Sequence, residues 1–247
     1  MKKLLLASVV AFGIGGVASA ADLPLKAPAI APPTFTWTGC YVGGYVGGAW
    51  GRDVVLTDIN EAGDVSSYPL GHSLIGGGTL GCNWQASPSP FVLGIEGEGG
   101  YLRLTGRGSE AFNRALFSET RIGDWYGMVT GRAGYASDRV LFYVKGGGAF
   151  VGVTNDIIPP MGAIGTVRRI TGTWTGGGGI EWAFANNWSA KGEYMFLGLH
   201  DDNLVCTPGP SANFARPCWT HDLGGTHTVK IGINYRWGDA APVVARY

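Results

Sequence analysis

The chain has 247 residues, of which 43 are Gly, while charged residues make up 15% and aromatics 12%. Eighteen basic residues cancel eighteen acidic ones, which removes the electrostatic basis for a nucleic-acid binder or a polybasic membrane-surface protein. Low charge with 45% hydrophobic content argues against disorder, the glycines lack a collagen period, and so much Gly disfavours helix.

Met1-Lys2-Lys3 is a basic start, an uncharged apolar run follows to about Val17, and Ala18-Ser19-Ala20 supplies a small-x-small site. These are the parts of a cleavable secretory signal over 1–20. Gly13, Gly15 and Gly16 break an apolar run already short for a membrane helix. Residues 21–36 are rich in Pro and Ala and read as a linker.

From Trp37 onward, alternate residues differ in kind. The segment 41–50 has two parities, Val42/Val46/Trp50 and Tyr41/Tyr45/Ala49, and is ambiguous alone. Segment 76–84 follows. In 91–101, Phe91, Leu93 and Ile95 oppose Glu96 and Glu98. In 125–135, Trp125, Val129 and Tyr135 oppose Arg132, and in 141–150, Phe142, Val144 and Phe150 oppose Lys145. Segment 174–182 sets Trp174, Ile180 and Trp182 against Glu181, and 188–197 sets Trp188, Tyr194 and Phe196 against Lys191 and Glu193. Finally, 228–237 sets Val229, Ile231, Ile233 and Trp237 against Lys230 and Arg236. A period of two is a strand signal. Eight such segments of 9–11 residues match the length of tilted strands that cross a bilayer.

The segment ends separate a membrane barrel from a soluble sandwich or lipocalin. Trp84, Phe91, Tyr135, Phe142, Trp182, Trp188 and Trp237 mark one end, and Trp50, Tyr101, Trp125, Phe150, Trp174 and Phe196 the other. Paired aromatic girdles around an apolar band belong to a membrane interface. Connections alternate between short turns and long loops near 51–73, 102–124, 152–172 and 198–226, again the membrane-barrel pattern. The expected fold is all-β: an eight-stranded antiparallel up-and-down transmembrane β-barrel over 37–237, with a C-terminal tail at 238–247. Lipid offers no hydrogen bonds, so the sheet must close.

Closure turns Glu96, Glu98, Arg132, Lys145, Glu181, Lys191, Glu193, Lys230 and Arg236 into a narrow lumen. Four acids and five bases are expected to pair there as a polar plug, since an unpaired buried charge costs several kcal/mol. Arg132 is the expected hub, because its planar fork can hold two carboxylates. Inward glycines such as Gly94, Gly134, Gly147 and Gly179 keep a thin water path open as the porin-like alternative.

Several ordered pieces carry a resemblance. They are Ala21-Asp22-Leu23-Pro24, Trp37-Thr38-Gly39, Tyr41-Val42-Gly43-Gly44, Asn83-Trp84-Gln85, Gly131-Arg132-Ala133-Gly134-Tyr135-Ala136, Gly177-Gly178-Gly179-Ile180-Glu181 and His227-Thr228-Val229-Lys230-Ile231-Gly232. Across nearly the whole mature chain the sequence resembles the small alphaproteobacterial outer-membrane β-barrel family of surface proteins, itself similar to the OmpA membrane domain. The resemblance implies a structural or surface-interaction role, sometimes called porin-like. Some relatives are described as haem-binding, which maps onto no residues here. Cys40 and Cys82 stand where the family more often has an aromatic, and the loop pair Cys206/Cys218 is a further departure.

Other motifs favour ordinary structure. Gly76-Gly77-Gly78-Thr79-Leu80-Gly81 matches a dinucleotide fingerprint in letters, but strand and turn residues follow where a helix is required. His72, His200, His221 and His227 are scattered over loops and strand ends. His200-Asp201-Asp202, Thr220-His221-Asp222 and His72-Ser73 are the candidates for a metal, acyltransferase or protease site, and solvated loop polarity is the reading preferred. No catalytic, metal or cofactor site is expected. In an oxidising envelope, disulfides 40–82 and 206–218 are expected, against free thiols. Expected partners are outer-membrane lipid, the barrel assembly machinery, which would read Trp237 or Tyr247, and external ligands or host surfaces at the loops.

Overall fold

The computed structural model describes residues 35–58, 64–109, 117–158, 164–199, 203–206 and 218–237. The expected signal peptide, most of the expected linker and the expected C-terminal tail lie outside the described residues. The first half of the chain gives β1 (Gly39–Gly51), β2 (Val54–Asp58), β3 (Asp64–Tyr68), β4 (His72–Gln85), β5 (Phe91–Tyr101), β6 (Arg103–Ser109) and β7 (Phe117–Ser137). The second half gives β8 (Val140–Ile158), β9 (Gly165–Trp182), β10 (Trp188–Leu197), β11 (Asn203–Cys206), β12 (Cys218–Asp222) and β13 (Thr226–Trp237).

Eight staves close a barrel. The order is β4-β1-β13-β10-β9-β8-β7, and β5, continued past Leu102 by β6, pairs with both β4 and β7. All of these pairings are antiparallel. The ambiguity in 41–50 is resolved: Tyr41, Tyr45 and Ala49 are buried inside, while Val42, Val46 and Trp50 are exposed outside. The outer wall between the girdles is apolar and exposed, with Leu80, Ile95, Val144, Ile180 and Ile233 each at least half accessible.

The staves are longer than alternation within an apolar band suggests. β7 runs 21 residues, β8 19 and β9 18, although 102–124 and 152–172 read as loops in the sequence. At about 3.3 Å per residue such strands reach far beyond the ~25 Å apolar band of an outer-membrane barrel. Above the upper girdle their polarity inverts. Leu102, Leu104, Ile122, Val151 and Val153 are buried inside, while Arg103, Thr105 and Arg107 face out. Once a stave leaves lipid, water takes over its outer face and the apolar residues turn inward.

The change of regime falls at a bulge. The β7–β8 register shifts between Ile122 and Tyr126. Gly123 has φ +114° and Asp124 φ +67°. A Cβ on Gly123 would lie 1.7 Å from the Leu102 carbonyl oxygen, so only Gly fits.

The first and fourth long connections are also ordered in part. β11-β12-β2-β3 form a second, four-stranded sheet. Leu56, Val205 and Trp219 from that sheet bury together with Ile157 of β8, and Val167 of β9 packs beside them. Loop sheet and stave extensions thus share a core.

Candidate functional site: a layered barrel lumen

The lumen is stacked in three layers. In the middle lie four carboxylates and four cations, each at most 7% exposed: Glu96, Glu98, Glu181 and Glu193 with Arg132, Lys145, Lys191 and Lys230. Register explains their meeting. Lys191 stands opposite Glu181 and Glu193 opposite Lys230 across strand pairs. Arg132 stands opposite Lys145, a like-charge pair that would be destabilising alone. Carboxylates reaching across the lumen offset it.

Lys145 is the centre of this layer, rather than Arg132. Its Nζ lies 2.6 Å from Glu96, 2.9 Å from Glu193 and 3.8 Å from Glu98. Lys230 Nζ reaches Glu98 at 2.6 Å and Glu193 at 2.9 Å, and Lys191 reaches Glu96 at 3.3 Å. Arg132 holds two carboxylates, Glu181 at 2.8 Å and Glu96 at 3.8 Å, and its guanidinium sits 4.0 Å above the Tyr143 ring. Glu96, Glu98 and Glu193 bring oxygens within 4.8 Å of one another, a spacing suited to a cation. The ammonium groups of Lys145 and Lys230 supply that positive charge from the protein itself.

Hydroxyl and amide groups complete the layer. Arg132 Nη1 donates to Tyr41 Oη at 2.9 Å, and Tyr41 donates to Glu96. Tyr126 donates to Glu98 at 2.8 Å and Tyr143 to Glu193 at 2.9 Å. Glu181 accepts from Ser189 at 2.6 Å and Asn234 at 2.8 Å. A buried ion pair is tolerable when its remaining lone pairs find donors. Charge alone does not mark the tyrosines. Parity held the signal: Tyr143 shares a face with Lys145, and Tyr126 lies opposite Trp125.

The inward glycines sit against close neighbours. A Cβ on Gly94 would meet Asn83 Oδ1 at 2.4 Å, and one on Gly179 would meet Tyr143 Oη at 2.8 Å. On Gly134 it would meet Leu141 Cδ1 at 2.8 Å, and on Gly147 the Val129 carbonyl oxygen at 2.1 Å. These positions are small because neighbouring backbone and side-chain atoms stand close to them.

Above the charges lies an apolar layer. Leu102, Leu104, Ile122, Val151 and Val153 pack with Val54, Tyr68, Leu70 and Leu223 from the connections. Below the charges, Trp37 is fully buried among Val92, Ala136, Leu141 and Ala183, with Phe35 against it. Its indole donates to the Asp138 carbonyl at 3.2 Å, and its backbone N–H to Gln85 at 2.9 Å. Phe35 and Thr36 therefore belong with the barrel and not with the linker. The expected purely polar plug is instead a charged layer between two apolar ones.

Arg236 is the sequence-selected residue that leaves the network. Its guanidinium donates to the Thr36 carbonyl at 2.6 Å and lies over the rings of Phe35 and Trp37. Among the described residues no carboxylate lies within ion-pair distance of it. The approach segment at Phe35, Thr36 and Trp37 partners it in place of a carboxylate. Four acids then face four bases in the middle layer.

Both expected disulfides are present. Cys40–Cys82 joins β1 to β4 at directly opposed positions, and Cys206–Cys218 joins β11 to β12. Among the described residues the loop histidines do not converge. His72 is exposed at the start of β4, and neighbouring Ser73 accepts from the Arg103 backbone N–H at 3.1 Å. His221 is buried with Nε2 2.9 Å from Ser118 Oγ, beside Tyr68, whose phenol burial pushes above its ordinary pKa. His227 stacks on Trp50 and bonds Tyr194 at 2.7 Å. His200, Asp201 and Asp202 lie outside the described residues. The Gly76–Gly81 motif is wholly strand.

Known proteins agree with this geometry. The family model described as outer membrane protein beta-barrel domain matches residues 7–239. The chain belongs to this family. It is 33% identical over 251 residues to the 31 kDa outer-membrane immunogenic protein of Brucella melitensis, covering 96% of this chain and 100% of that one. The 25 kDa outer-membrane immunogenic protein of Brucella abortus is 22% identical over 250 residues, covering 96% and 99%. Among solved structures, OprG of Pseudomonas aeruginosa superposes with a TM-score of 0.57 at 10% identity, covering 84% of this chain and 100% of that one. That likeness concerns the fold. The protein is an eight-stranded barrel of the outer membrane, with the apolar wall in lipid, short turns in the periplasm and long connections outside.

Proposed function

We propose that this barrel is a non-enzymatic wall and surface protein of the envelope, with its lumen closed to solutes and its contacts made by the external loops. The observation that carries this reading is the stack of three buried layers: Trp37 below, Lys230 in the middle and Leu104 above are each no more than 1% exposed. A barrel of eight strands has an interior just wide enough for side chains to fill. A diffusion path would have to displace an apolar layer, a neutralised charge layer and a second apolar layer in series.

The loop sheet supports the surface role. A cross-linked sheet built from the first and fourth connections presents a preorganised face, which lowers the ordering cost of binding an external ligand or host surface. Lipid around the wall and the assembly machinery at the last strand are the other partners of this reading. A porin-like role is the competing outcome of one test. Liposomes loaded with the refolded protein should swell in small sugars no faster than empty liposomes. Swelling at the rate of a general porin would overturn the closed lumen.

A further inference from the structure

The outer surface changes character abruptly on one half of the circumference. From β5 to β9, an exposed girdle of Tyr101, Trp125 and Trp174 marks the upper edge of the lipid band. Above it the outward positions turn basic at unequal heights: Arg103 is the next outward residue after Tyr101, Arg121 follows Trp125 after Gly123, and Arg168 follows Trp174 after Gly172 and the exposed Ile170. Thr105, Arg121, Thr154 and Arg168 form one register row across β6, β7, β8 and β9. Arg103 lies one outward step below Thr105. With strands about 4.8 Å apart and side chains on one face about 6.6 Å apart, Arg121 stands roughly 8 Å from Arg103 and roughly 10 Å from Arg168.

Arg121 and Arg168 differ from an ordinary solvated rim in their placement and pairing. Arg121 is half-buried, and its Nε has no hydrogen-bond partner. Arg168 is exposed, and among the described residues no carboxylate lies within ion-pair distance of it or of Arg121. The nearby acids are Glu119, held by Arg107 at 2.6 Å, Asp124, held by Arg103 at 3.7 Å, and Asp156 one step above the row. The bulge places Asp124 in the left-handed region beside Trp125, which fixes girdle and cation at adjacent heights. Across the barrel, at the corresponding level above Trp50, Arg52 is followed by Asp53, so among the described residues the basic surface is one-sided.

We infer that the β5–β9 face is a seat for the phosphate-bearing headgroup of an outer-leaflet lipid, with Arg103, Arg121 and Arg168 taking the phosphates and the girdle aromatics holding the tops of the acyl chains. A guanidinium fork matches phosphate geometry. Basic groups at a membrane surface are drawn to anionic headgroups, and aromatic rings settle at the headgroup level. Depth selects the occupant: a ligand here must carry its charges from the hydrocarbon edge at Arg103 outward to the level of Arg168, three outward steps above Trp174.

The test is retention of lipid A, a bis-phosphorylated acylated disaccharide, by the refolded full chain in micelles, counted by native mass spectrometry against the same lipid without phosphates. The wild type should retain the phosphorylated form at least tenfold better. Each single change, Arg103→Ala, Arg121→Ala or Arg168→Ala, should weaken retention roughly fivefold, and the triple change about a hundredfold. Arg52→Ala on the other half should leave it unchanged. The shift in gel migration on heating verifies that each variant is folded, and the single variants carry the test if the triple one is not. Equal retention of both lipid forms, an equal loss in Arg52→Ala, or full displacement by millimolar inorganic phosphate would overturn the assignment.

Discussion

Two stretches of β8 alternate with the same period and opposite meaning. Up to Phe150, the outer face carries Phe142 and Val144 while Tyr143 and Lys145 point inward. Beyond it, Val151, Val153 and Ile157 are buried inside, and Thr154 and Asp156 take the outer positions. The backbone ladder runs on through both. What differs is the solvent outside the wall, lipid for the lower stretch and water for the upper. The face turned toward the other face of the sheet takes whichever polarity remains. Below, that leaves charges with no water, so they must neutralise one another. Above, it leaves an ordinary hydrophobic core.

The largest way to break this contrast is to unbalance the lower stretch. Glu96→Ala leaves Lys145, Lys191 and Arg132 short of a carboxylate they share. Stability should fall by about 3–5 kcal/mol, read as a lower urea midpoint in micelles. Adding Lys145→Met to Glu96→Ala should recover part of that loss, because the surplus charge goes with it.

Next in size is a charge placed on the outer face. Val144→Arg puts a cation into the hydrocarbon band and should destabilise by about 2–4 kcal/mol. Thr154→Arg is the same chemistry ten residues along the same strand and face, but above the girdle. It should change stability by no more than about 0.5 kcal/mol. Equal midpoints for the two variants would mean that the boundary at Phe150 is misplaced.

That boundary also explains what was legible. Eight staves, both disulfides and the inward charges could be read because alternation and aromatic ends survive in the letters. The extensions of β6 to β9 read as loops in the sequence because a lipid-facing strand carries its apolar face outward, and here that face turns inward. Leu102, Leu104, Val151 and Val153 alternate just as strictly with Arg103, Thr105, Gly152 and Thr154. Only the hand of the pattern changes, and Gly123 with its left-handed backbone marks the place. Arg236 could not be placed by parity alone. Its partners Phe35, Thr36 and Trp37 come from a segment that forms no strand, and no periodicity announces a chain entering the mouth of a barrel. Lys145 as the centre was equally hidden. Face membership does not say which side chains reach across a lumen.

The central claim is that the three layers close the lumen. Single-channel recording of the refolded wild-type protein in planar bilayers tests it most directly, with Arg132→Ala as the altered middle layer. The wild type should show rare flickers at most, and Arg132→Ala should abolish or enlarge them. Steady, large-conductance openings of the wild type that admit sugars would contradict the account.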